Sequence, residues 1–168
     1  MNREALSQKV LVLGIDGMDP RKTRKYVDEG LMPNTKKIIE RGCQRHDLVL
    51  LGGVPTITPP MWATLATGAS PMVHGITDFF LQVPGKLDEY TYAMHSPSCH
   101  AEQIWNVTAE SGKKTLVWHW PSASWPPSSD SPNLHVVDGS SPGGVNMSTA
   151  QIDTEMILFA SKNADGIT

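Results

Sequence analysis

Val10, Leu11, Val12, Leu13, Gly14 and Ile15 make a short, almost wholly apolar run that stops at Asp16-Gly17. A run of this length, rich in branched side chains and without polar alternation, is the pattern of a central parallel strand covered on both faces. It is too short for a membrane span or the core of a signal peptide, and the residues before it are mostly polar. Helical and strand-like segments alternate after it. Asp19-Pro20 offers a cap and a first-turn proline for a helix ending near Gly30. A second helix, half-buried through Ile38 and Ile39 beside Lys36 and Lys37, is expected from Pro33-Asn34 to Gly42, and then a strand at Leu48–Leu51.

Thr58-Pro59-Pro60, Met61–Thr67 and Gly68 give cap, early prolines and terminating glycine in the order a short helix requires, so Thr58 is expected as an N-cap at a strand-to-helix junction. Ala101–Ser111 has helical character ending at Gly112, and Thr115–Trp118 reads as another buried strand. Pro121–Gly144 is crowded with Pro, Ser and Gly, apart from a strand-like Leu134–Val137, and is expected to be an extended surface loop or cap insertion. The alternation predicts an α/β/α sandwich around a largely parallel sheet, with ligands bound beyond the carboxyl ends of its strands. Asp16 and Thr58 both fall at such ends.

At 168 residues the chain is long enough for one compact domain. We expect residues 1–8 as a flexible terminus and 9–168 as part of a single domain. The net charge of -3 argues against nucleic-acid binding, which usually calls for a Lys/Arg excess. The basic cluster Arg21, Lys22, Arg24 and Lys25 falls where a helix starts and reads as its solvated face. Cys43 and Cys99 lack metal or redox spacing. A soluble, cytoplasmic protein without membrane or nucleic-acid partners is expected.

An Asp at the end of an apolar strand, flanked by glycines, can present both carboxylate oxygens to a cation, although it can equally cap the next helix. A nucleotide-binding glycine turn fits less well, because the segment lacks both the G-x-G-x-x-G spacing and the P-loop Lys-Ser/Thr ending. A hydroxyl at the head of a helix faces a partial positive potential that favours an alkoxide and an incoming phosphate. Pro59 and Pro60 have no N–H to cradle that phosphate, and no His-Asp pair is suggested near Thr58, so a metal is the simplest activator. The bland alternative is an ordinary cap. Asp88 with His95 and Asp130 with His135 have the wrong spacing for ligands, and Pro97 interrupts His95 to His100.

The segment Val10–Asp19 resembles the opening strand of type I phosphodiesterase/nucleotide pyrophosphatase proteins of the alkaline phosphatase superfamily. Pro55–Gly68, followed by Ser70-Pro71 and His74-Gly75-Ile76, resembles their nucleophile segment. Thr58-Pro59-Pro60 before Trp62, with His74 to Phe79, is most similar to a prokaryotic branch of predicted phosphohydrolases or phosphomutases. Leu31–Thr35, and Ile104–Gly112 leading to Trp120-Pro121, extend the resemblance from about Lys9 to Pro121.

The resemblance implies that Asp16 and Thr58 share one of two divalent ions, usually zinc, and that the Thr58 oxygen attacks phosphorus, giving a phosphothreonine that water then hydrolyses. It implies a small phosphate ester or nucleotide as substrate, with Asp78, Phe79 and Trp120 as candidate substrate contacts. Trp118 and Trp105 are expected in the core, and Trp120 and Trp125 nearer the substrate. His74 is implied to be a structural loop residue. Diesterase members often carry an Asn where this chain has Phe79, which leaves monoester, diester and pyrophosphate substrates open. The family's remaining ligands, an Asp-x-x-x-His set, an Asp-His pair and a later His, are expected beyond the matched region, so the chain by itself is expected to be inactive. A phosphomutase, or an inert phosphate-binding domain, is the alternative.

Overall fold

The computed structural model describes residues 7–45 and 55–138, which divide between two compact units, one within Met1–Val49 and the other within Leu50–Thr168. The strand expected at Leu48–Leu51, residues 1–6 of the expected flexible terminus and the Pro/Ser/Gly-rich stretch beyond residue 138 lie outside the described residues.

The first unit is a helical pair. Helix α1 spans Pro20–Asp28 and α2 spans Pro33–Arg41. Asp19 caps α1, its Oδ1 accepting from the N–H groups of Arg21 at 2.8 Å and Lys22 at 3.1 Å, which is the role its position before Pro20 predicts. Those two bonds hold the Asp19 carboxyl below the usual carboxylate range, the Lys22 N–H contributing most. The Tyr26 carbonyl accepts from Leu31 at 2.8 Å and Met32 at 3.3 Å, turning the chain from one helix into the next. Thr23 and Val27 are buried on the inner face of α1, whereas Arg21, Lys22, Arg24 and Lys25 are all exposed, as expected of a solvated face. On α2, Ile39 is half-buried but Ile38 is 70% exposed.

The expected strand at Val10–Ile15 does not form: no ladder is made by this run among the described residues, and its five large apolar side chains are 66–81% exposed. The physical reason is that a central strand exists only by pairing and by cover on its faces. The described part of this unit holds two helices and no strand.

The second unit begins with α3, Thr58–Thr67, closed by Gly68 in the left-handed conformation. A short helix α4, Pro71–His74, comes next. An antiparallel hairpin then pairs β1, Phe80–Gln82, with β2, Tyr90–Tyr92, in the register Phe80↔Tyr92. Helix α5, Ile104–Glu110, precedes β3, Thr115–Trp120, which pairs in parallel with β4, Leu134–Asp138. One face of this parallel pair is packed. Val117, Leu134 and Val136 join Trp105 and Ala109 of α5 and Ala66 of α3 in one core cluster. Leu116 and Trp118 point the other way and are 56% and 53% exposed, so β3 is covered on one face only, not buried throughout as its sequence predicts. A second cluster joins Ala63 of α3 to Ile76, Ala93 and Ala123. The small side chains Ala63 and Ala66 therefore seat α3 against both cores at once.

The expected surface loop after β3 starts in the interior. Ser122, Ala123 and Ser124 are fully buried, the Ala123 N–H donating to the Met94 carbonyl at 3.3 Å. Further along, the stretch is fastened to α5. Asn106 Nδ2 donates to Ser128 Oγ at 2.8 Å, Ser128 Oγ donates to Gln103 Oε1 at 2.8 Å, and Asn133 Nδ2 donates to the Ala109 carbonyl at 3.1 Å. Ser and Asn read as loop formers in sequence, and here their side chains satisfy a buried helix face instead.

Candidate functional site

Asp16 stands at the turn that ends the extended apolar run, with Gly17 next to it at φ 65°, a conformation that glycine adopts at little cost. Its side chain is exposed and lies in the first unit.

Thr58 is the first helical residue of α3, and Ile57, extended at φ -121° and ψ 166°, is the N-cap. The expectation of Thr58 as the cap is therefore corrected by one position. The reason lies in the closing bond: Pro59 and Pro60 have no N–H, so the first amide able to close the turn is that of Met61, and it donates to Ile57 at 3.3 Å, which makes Thr58 the first residue inside the turn. Pro59 and Pro60 are fully buried, which anchors the head of the helix by packing where N–H donors are lacking.

His74 stands behind that head. It is completely buried, and the Ile76 N–H donates to its Nδ1 at 3.1 Å. An Nδ1 that accepts cannot carry a proton, so the proton is on Nε2, which faces Thr64 Oγ1 at 3.1 Å. Burial pulls the imidazole below the usual histidine range, offset in part by a hydrogen bond to the Pro60 carbonyl. Gly75 at φ 80° permits the fold-back of Ile76. It also lets the chain pass His100, whose Nδ1 would lie 2.8 Å from a β-carbon at that position. His74 is thus structural, as the resemblance implies.

Asp78 and Phe79 lie next along the chain, at the surface, where Asp78 Oδ1 accepts the Phe79 N–H at 2.7 Å and the Phe79 ring is 38% exposed. Trp120, read as substrate-facing, packs edge-on to Trp62 with ring centroids 4.9 Å apart and to Trp105 at 5.7 Å, and its Nε1 donates to the Trp62 carbonyl at 3.3 Å. Trp125 packs on the same core, whereas Trp118, expected inside, is half-exposed. Trp118 faces outward by ordinary alternation with buried Val117, and a bulge in the β3–β4 register between Trp118 and Trp120 brings Trp120 to the packed face, because an extra residue in a strand re-aims the side chains after it. That residue, His119, is left-handed at φ 47°, as are Ser122 at 85° and Ala123 at 62°. Sequence patterning gives no signal for this switchback. The hydroxyl of Ser122 is buried without a hydrogen-bond partner.

Cys99 is half-buried, and desolvation pushes its thiol up, which suits a packing role and not a nucleophile. Among the described residues no group of three or more His, Cys, Asp or Glu side chains could enclose a metal. Asp16, in the first unit, offers an anionic carboxylate and Thr58, in the second, a hydroxyl oxygen, each a donor type suited to a divalent ion. No helix among the described residues is long and apolar enough to cross a membrane.

A parallel β pair backed by helices, with a Thr-Pro-Pro helix packed into the core beside it, defines the N-terminal part of an alkaline-phosphatase-like α/β domain. The solved structure of phosphonoacetate hydrolase from Sinorhizobium meliloti 1021, in complex with phosphonoformate, supports that class, with a TM-score of 0.52 and 31% identity over 61% of this chain. The chain belongs to the type I phosphodiesterase/nucleotide pyrophosphatase family, whose model matches residues 10–160. A Schizosaccharomyces pombe protein described as an uncharacterized pyrophosphatase/phosphodiesterase is 30% identical over 122 residues, 67% of this chain. The chain spans 23% of the length of that relative and 24% of the solved hydrolase.

Proposed function

We propose that the polypeptide containing this chain is a metal-dependent phosphohydrolase acting on a small phosphate ester or nucleotide, with Thr58 as nucleophile and Asp16 as a metal ligand. The observation that carries the reading is the family match, which runs from residue 10 to 160 and so includes both residues. The position of Thr58 as first residue of a ten-residue helix supports it, since the positive end of the helix favours an anionic phosphoryl group and a developing alkoxide.

Asp16 and Thr58 would hold the ion, with the family's remaining ligands supplied from beyond the described residues. A divalent ion, zinc being the family's usual choice, lowers the pKa of the hydroxyl and neutralises charge on the phosphoryl oxygens. The Thr58 oxygen attacks phosphorus in line with the leaving oxygen, the P–O bond to the leaving group breaks, and the Thr58 proton passes to solvent. Water then attacks the phosphothreonine from the opposite side, releasing phosphate and restoring the hydroxyl. Asp78, Phe79 and Trp120 are the proposed substrate contacts.

Thr58→Ala in the full-length protein should abolish covalent labelling by a phosphate ester and lower turnover at least about a thousandfold, the scale expected when a covalent nucleophile is removed. Labelling that persists in the variant rules Thr58 out. Stripping divalent ions with a chelator should likewise stop turnover, and zinc should restore it.

A further inference from the structure

Helix α3 is unusual in how little its own backbone can do to hold its first turn. Two of its first three residues are prolines, and the amide that closes the turn reaches Ile57 at 3.3 Å, longer than the 2.8 Å bond that ends the same helix at Gly68. The two proline rings are buried, which resists displacement outward, but packing alone is weakly directional about a helix axis.

The His74 side chain supplies a directional restraint close to the head of the helix. The His74 Nε2–H is aimed at α3, with Thr64 Oγ1 at 3.1 Å and the Pro60 carbonyl as a further acceptor. The ring has one orientation available, because the Ile76 N–H occupies Nδ1 and the His100 N–H holds the His74 carbonyl at 2.9 Å. Pro60 is two residues from Thr58, and Thr64 lies one turn further along. We propose that His74 is a positioning residue, a latch that fixes the rotation of the α3 head through Thr64 and Pro60 and so aims the Thr58 hydroxyl. The proposal rests on Thr58 being the nucleophile.

Thr64→Val removes the acceptor while keeping the branched shape, and His74→Gln keeps a donor near the Nε2 position while losing the acceptor for Ile76. Both are milder than emptying the site. In the full-length protein with zinc, the rate of phosphothreonine formation from p-nitrophenyl phosphate should fall roughly tenfold in Thr64→Val with KM changed less than about twofold, the pattern of lost positioning and not of lost binding. His74→Gln should keep more activity than His74→Ala. The double variant Thr64→Val/His74→Gln should be little worse than the worse single variant, because both break one link.

A nitrogen–proton correlation spectrum of the wild-type imidazole should show Nε2 protonated and Nδ1 bare. A proton on Nδ1 overturns the latch whatever the activity, and so does undiminished phosphothreonine formation in both single variants. A KM that rises in step with the loss of rate overturns the positioning role in favour of a binding or purely structural one. Wild-type protein that never forms phosphothreonine overturns the phosphohydrolase reading, and the positioning role falls with it even if the tautomer is the expected one.

Discussion

At the scale of single residues, the chemistry assigned to this chain depends on groups held in one protonation or rotameric state. His74 is the clearest. Its buried imidazole resists protonation, whereas the same side chain in the unfolded chain takes up a proton near pH 6.5. Between those two values the unfolded state binds more protons, so the stability from neutral His74 is complete above about pH 6.5 and is lost as the pH falls through the lower folded value. Denaturant unfolding at pH 7 and pH 5 should show this decline, and it should be smaller in His74→Gln, which cannot titrate. Asp16 and Thr58 stand out in the sequence as candidates because a carboxylate between glycines and a hydroxyl before two prolines are compact local patterns. The hold of His74 on Thr64 does not, since it spans ten positions and depends on Gly75 turning the chain back.

Elements were legible where their ends carry local signals. Asp19 with Pro20 marks the start of α1, and Gly68 and Gly112 mark the ends of α3 and α5. The hairpin of β1 and β2 was missed because each strand is three residues long, too short for a period to show. The switchback from His119 to Ala123 was missed for a different reason: left-handed residues other than glycine leave no trace in hydropathy. Such residues cost about 1–2 kcal/mol each, and an unpartnered buried hydroxyl adds about 1–3 kcal/mol. Ser122→Gly removes both penalties at one position and should stabilise the second unit by about 1–2 kcal/mol after the loss of packing, read as a higher thermal midpoint. A midpoint that falls would show that the Ser122 hydroxyl has a role in the fold that its surroundings do not display.

For the whole molecule, the apolar run at Val10–Ile15 is the sharpest difference between pattern and structure. Its composition suits the middle of a sheet, yet Leu11 and Leu13 are 81% and 78% exposed. Leu11→Ser in residues 1–168 should therefore change stability by no more than about 0.5 kcal/mol. Val136→Ala, at a completely buried site, should cost about 2 kcal/mol in the same protein. In a polypeptide that continues to the length of its relatives, Leu11→Ser should instead cost about 2–4 kcal/mol if the run finds strand neighbours there. Chemical denaturation of both lengths compares the two. Fold class was legible at this scale because strand–helix alternation is a global pattern, whereas partners for a strand are a property of whatever lies beside it.

The fastening of residues 128–133 to α5 has a consequence for handling the protein. Composition alone marks Pro121–Asn133 as the natural place for a protease to nick the chain. With its opening residues interior and Ser128, Ser129, Ser131 and Asn133 tied to one helix and its cap, that stretch offers little slack backbone to draw into an enzyme's cleft. Subtilisin at low dose should cut elsewhere first.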